Sequence, residues 1–111
     1  MHCIGDLANK LILDAYEENK VKFGVNLSAT RSRIEHAQIL QVQDIPRLGS
    51  LGIIPSVQPT HIISDMSYVR SRIGQGRELG AYVWRGFLEA EYATLHIANA
   101  MLTFAELQVC L

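Results

Sequence analysis

Four histidines, His2, His36, His61 and His96, carry the imidazoles through which this chain could do chemistry near neutral pH. His2 and His36 each fall at or near the C-terminal end of an expected strand, one strand–helix unit apart. In parallel α/β folds, ligands and catalytic groups gather at that edge of the sheet. Neighbouring strands lie about 4.8 Å apart, so two such rings can converge on one ion. Imidazole suits zinc, nickel or iron, and a catalytic ion keeps a position open for water. Its work would be to lower the pKa of that water and to polarise a carbonyl. A histidine at a strand end also serves as a hydrogen-bonded structural residue, and spacing alone leaves both readings open.

His61 follows the third expected strand and reads either as a substrate-side donor or as a loop residue capping local carbonyls. Asp65, four residues on, either orients His61 or caps the helix that follows. Glu35 precedes His36 and points to the other strand face, toward Arg33 or a helix lysine. His96 has no acidic or histidine partner at ligand spacing. Gly-x-Ser-x-Gly, Gly-x-Gly-x-x-Gly, a phosphate loop and His-Glu-x-x-His are all absent.

The elements that position these residues follow from periodicity. Met1-His2-Cys3-Ile4-Gly5 reads as the end of a strand. Residues 6–20 form a helix, with Leu7, Leu11 and Ala15 in one row and Ala8, Ile12 and Tyr16 in the next. Asp6 sits near its positive end, and Gly24 is a stop signal. Residues 33–37 form a second strand and residues 44–51 a short helix, with Asp44 at its N-cap and Pro46 in its first turn. Residues 53–58 are apolar enough for a buried parallel strand, although Pro55 cannot donate to a ladder. Pro59-Thr60-His61 turns the chain into helices over residues 64–72, 78–89 and 91–111. Strand–helix alternation of this kind predicts parallel βαβ units and an α/β fold.

The 111 residues are 49% hydrophobic and 19% charged, with a net charge of −1. That balance is globular, and nothing in it forms a basic stripe for nucleic acid. No uncharged apolar run reaches the length of a membrane span, and no segment has signal-peptide character. Cys3 and Cys110 stand far apart, which predicts two free buried thiols and a reducing, cytoplasmic setting.

Three segments resemble a known family. His2-Cys3-Ile4-Gly5-Asp6-Leu7-Ala8-Asn9 resembles the His-Ala-Ile-Gly-Asp-x-Ala-Asn segment of amidohydrolase family 3, the YtcJ-like branch of the amidohydrolase superfamily. Arg33-Ile34-Glu35-His36-Ala37-Gln38 is similar to its Arg-Ile-Glu-His-Ala-Gln segment. Ser56-Val57-Gln58-Pro59-Thr60-His61, with Ser64-Asp65-Met66 and Tyr68, is similar to a third, and Gly80-Ala81-Tyr82 and Trp84-Arg85 also fit.

The resemblance implies a metal-dependent (β/α)8 barrel that hydrolyses C–N bonds of amides, formamides or cyclic amides. It places His2 after the fifth barrel strand and His36 after the sixth, both as ligands of a divalent metal such as zinc. It places His61 after the seventh, facing the substrate together with Asp65. Residues 1–90 would then be a barrel segment, and residues 91–111 a helical tail unlike the family. The family's first-strand His-x-His pair, bridging lysine and eighth-strand aspartate base have no counterpart here, which predicts weak metal binding, no catalytic residue and no turnover by this chain. A second reading, from another class, is a truncated, non-catalytic module that binds a partner through its strand edges.

Overall fold

The computed structural model describes residues 1–89 and the strand His96–Ile97. The chain runs through β1 (His2–Cys3), α1 (Asp6–Phe23), β2 (Arg33–His36), a 3-10 turn (Val42–Asp44) and α2 (Ile45–Leu51). It continues through β3 (Ile54–Val57), α3 (Thr60–Ile73), a second 3-10 turn (Arg77–Gly80), α4 (Trp84–Glu89) and β4 (His96–Ile97). The strands form one sheet in chain order, and every pairing is parallel. This is an α/β fold with a parallel sheet. Parallel neighbours need a crossover, which brings the C-terminal ends of all strands to one edge.

Local chemistry explains most boundaries. Gly24 and Gly52 end α1 and α2 at φ +64° and +68°, a left-handed conformation glycine adopts without strain. β3 is buried at all four positions, as a strand covered on both faces must be. Pro55 survives inside it for a geometric reason. The Ile54 N–H donates to the Ser32 carbonyl (3.0 Å), so alternation turns the missing Pro55 donor toward the opposite edge, where pairing with β4 begins only at Ser56. Leu13, Ile34, Leu48, Ile53, Val57, Trp84 and Phe87 form the centre of the core.

Five expectations are corrected. On α1 the buried row is Asn9 and Leu13, with Ile12 and Tyr16 packed beside it, whereas Leu7 and Leu11 stay 60% and 58% exposed. α1 covers β1, the outer strand of the described sheet, and no described strand lies beyond that edge for Leu7 and Leu11 to pack on. The helix after β3 begins at Thr60, so His61 lies in its first turn and Asp65 in its body rather than at a cap.

The helix expected over residues 78–89 is broken. Leu40 N–H donates to the Gly80 carbonyl and Tyr82 N–H to the Gln38 carbonyl, both at 2.9 Å, and Tyr82 sits at φ +55°. These tertiary bonds take the backbone groups that a continuous helix would use. Of the helix expected over residues 91–111, His96–Ile97 is instead a strand, and the remainder lies outside the described residues. Asp44 does precede α2, but its carboxylate makes no cap hydrogen bond and turns to Arg47 instead.

Candidate metal centre

β1 and β2 deliver the two strand-end histidines to one place. Register pairs His2 with Glu35 and Cys3 with His36, so simple alternation would set His2 and His36 on opposite faces. His36 leaves the extended region at φ +74°, and Ala37 follows at +41°. Histidine tolerates this region better than most side chains, yet each such residue costs on the order of 1–3 kcal/mol. The departure brings the imidazoles together: His2 Nδ1 lies 3.2 Å from His36 Nε2, with ring centroids 5.2 Å apart. His61, from the first turn of α3, stacks on His36 at 5.6 Å and 24°. His2 is exposed and the other two rings are half-buried, so the cluster opens to solvent.

The His36 ring is held from behind. Its Nδ1 lies 2.9 Å from Gln58 Oε1, an atom that can only accept. A neutral His36 that donates there from Nδ1 keeps its lone pair on Nε2, facing His2. Two imidazole nitrogens at about 2.05 Å from a tetrahedral ion stand roughly 3.3 Å apart. The observed 3.2 Å separation fits two positions of such a site. The described residues hold no group of three or more His, Cys, Asp or Glu suited to a metal, so these two donors form a partial set.

Asn9 makes the junction rigid. Fully buried on α1, it donates from Nδ2 to the carbonyls of Ile39 (2.9 Å) and Gly5 (3.0 Å). The Ile39 N–H donates in turn to the Ile4 carbonyl at 3.0 Å. The segments that leave β1 and β2 are thus laced together directly below the two histidines.

Asp65 is the anionic hub of the neighbouring edge. Its carboxylate accepts from Gln38 Nε2 (2.8 Å), Ser64 Oγ (2.7 Å), Tyr68 Oη (2.6 Å) and, more loosely, Tyr82 Oη (3.4 Å). The Tyr68 hydroxyl foremost, then Ser64 and Gln38, pull its pKa down to about 2. Burial pushes the Tyr82 phenol up to about 12. Gln38 also donates to Tyr82 Oη at 2.8 Å, so β2, α3 and the segment before α4 meet in one polar knot. His61 is close enough for its charge to favour the Asp65 anion.

Two sequence readings take simpler forms. Glu35 meets Arg33 only at 4.0 Å. Cys3 is a buried free thiol whose pKa burial raises, whereas Cys110 lies outside the described residues. No helix among the described residues is long and apolar enough to cross a membrane. Gln38, Gln58 and Tyr82 escaped sequence reasoning as functional positions. Each lies within a quoted motif, but its partner is 22 to 44 residues away.

The amidohydrolase family model matches residues 1–95. Protein LONG AFTER FAR-RED 3 of Arabidopsis thaliana is 39% identical over 89 residues, covering 79% of this chain and 15% of that protein. Putative amidohydrolase YtcJ of Bacillus subtilis (strain 168) is 34% identical over 85 residues, covering 77% of this chain and 15% of that protein. The chain thus spans about 15% of the length of these curated relatives. A crystal structure of an uncharacterized metal-dependent hydrolase from Pyrococcus furiosus superposes with a TM-score of 0.68 at 28% identity, covering 98% of this chain and 21% of that one. Its counterpart from Pyrococcus horikoshii OT3 gives 0.67 at 28% identity, covering 95% and 20%. With its parallel sheet, its paired histidines and a family match over most of its length, the chain belongs to the amidohydrolase family.

Proposed function

We propose that this chain is a segment of a metal-dependent (β/α)8 hydrolase and contributes two ligands, His2 and His36, to its divalent ion. The observation that carries this reading is the 3.2 Å approach of His2 Nδ1 to His36 Nε2 at adjacent parallel strand ends. Zinc fits the donor set, because neutral imidazole is among its preferred ligands. An ion bound there supplies Lewis acidity, polarising a scissile carbonyl and acidifying a water. The substrates are small molecules with a non-peptide C–N bond: amides, formamides or cyclic amides. His61 stands on the substrate side as a donor, and Asp65 beside it is the anion that keeps that edge polar. Residues 1–90 belong to the barrel segment, and the stretch beyond the end of the family match at residue 95 differs from the family pattern.

The chain itself should bind metal weakly and turn nothing over. Two imidazoles are a partial ligand set, because the described residues hold no group of three or more His, Cys, Asp or Glu suited to a metal. Cobalt(II) added to the purified chain should give weak visible bands that His36→Ala removes. Assay with an N-acyl or formamide substrate should give no hydrolysis. Chelator-sensitive turnover would contradict the partial site, and the same spectrum from both proteins would contradict the ligand assignment.

A further inference from the structure

We propose that Gln58 is a positioning residue that holds His36 in its Nδ1–H tautomer, keeping the Nε2 lone pair turned toward His2 and the ion site. The proposal rests on the metal reading above only for what Nε2 receives.

Gln58 follows β3 directly, after four buried strand residues that fix its backbone. Its own amide is oriented at both ends. Nε2 lies 3.4 Å from the Ser56 carbonyl and donates there, which turns Oε1 to His36 Nδ1 at 2.9 Å. A carboxamide oxygen accepts and cannot donate, and a neutral imidazole has one N–H, so the proton sits on Nδ1. The reversed amide would present N–H to Nδ1, put the ring proton on Nε2 and block the nitrogen that faces His2. One amide orientation therefore decides whether His36 has a lone pair to offer. Ligating histidines are commonly held by such a partner on the second nitrogen. Here the partner comes from the next strand, 22 residues downstream, so β3 sets the protonation pattern of a group on β2.

The test is two-bond 15N–1H correlation NMR of the full chain, 15N-labelled at histidine, metal-free and in mildly alkaline buffer. His36 should carry its proton on Nδ1. In Gln58→Leu the population should move toward Nε2–H, whereas Gln58→Glu, which can only accept, should restore Nδ1–H. Zinc titration of the same three proteins should show affinity falling about 10- to 100-fold in Gln58→Leu and recovering in Gln58→Glu. An Nε2–H tautomer in the unaltered chain overturns the proposal without any variant having to fold. So does an unchanged tautomer in Gln58→Leu. The predicted tautomers with no zinc uptake by any of the proteins overturn the metal reading while supporting the hold of Gln58 on the ring.

Discussion

The side-chain amide of Asn9 donates to the carbonyl of Ile39 across 2.9 Å, tying the start of α1 to the chain leaving β2. The same amide reaches Gly5, so a single fully buried residue spans the exits of both histidine-bearing strands. Asn9→Ala removes these donors and leaves a void. It should cost about 2–4 kcal/mol in urea unfolding, combining buried carbonyls left unpaired with the lost packing. A change below about 0.5 kcal/mol, the size of an ordinary surface substitution, would remove Asn9 from the account.

Gly80 and Gly86 should respond to alanine with opposite signs. A Cβ on Gly80 would lie 1.7 Å from the Leu40 carbonyl oxygen, a backbone atom that cannot swing aside. Gly80→Ala should therefore destabilise by roughly 1–3 kcal/mol or more, through overpacking against backbone. Gly86, inside α4, meets only the Ile45 side chain at 3.5 Å. Gly86→Ala should be neutral or stabilise by up to about 1 kcal/mol. Thermal melts of the two variants that move in the same direction would refute the close approach of Gly80 to Leu40.

The two strand ends, the helix between them and the glycine stop at 24 were legible as short-range pattern, but that pattern left open whether His2 and His36 converge. What was not legible rests on contacts between distant residues. Residues 78–89 have helical periodicity, yet Leu40 and Gln38 capture the backbone of Gly80 and Tyr82 and divide the segment. Leu7 and Leu11 have the spacing of a core row, yet the sheet below α1 ends at β1. Alternation along β2 points His36 away from His2, and only its positive φ reverses this.

Acid should weaken the fold through Asp65. Its carboxyl titrates at about 2 when folded, below its ordinary 3.8, because Tyr68, Ser64 and Gln38 donate to the anion. A group whose folded pKa is depressed adds stability above its unfolded value, and that stability is lost as pH falls through the folded value. The urea midpoint should thus decline between about pH 4 and pH 2. Asp6, lowered by the Arg77 guanidinium, acts in the same direction. Asp65→Asn should flatten part of this decline and leave the part due to Asp6. An unaltered pH profile in Asp65→Asn would show that the four donors do not favour the anion.

Arg47 joins α1 to α2 through Asp14, Glu17 and Asp44, each at 2.8 Å. The Asp44 side chain is only 5% exposed, and its second oxygen has no hydrogen-bond partner among the described residues. Arg47→Met should cost about 1–3 kcal/mol, below the full value for a buried pair because Arg47 is partly open to water. Arg47→Lys should recover only part, since an ammonium cannot reproduce the fork that meets three carboxylates. Full recovery by lysine, read from chemical denaturation, would argue against that geometry.

Zinc titration calorimetry on the full chain and on His2→Ala, His36→Ala and His61→Ala decides whether His2 and His36 ligate the ion. One weak site per chain is expected, lost in His2→Ala and in His36→Ala and retained within a few-fold in His61→Ala. Zinc uptake that survives in the His2→Ala/His36→Ala double variant would contradict it.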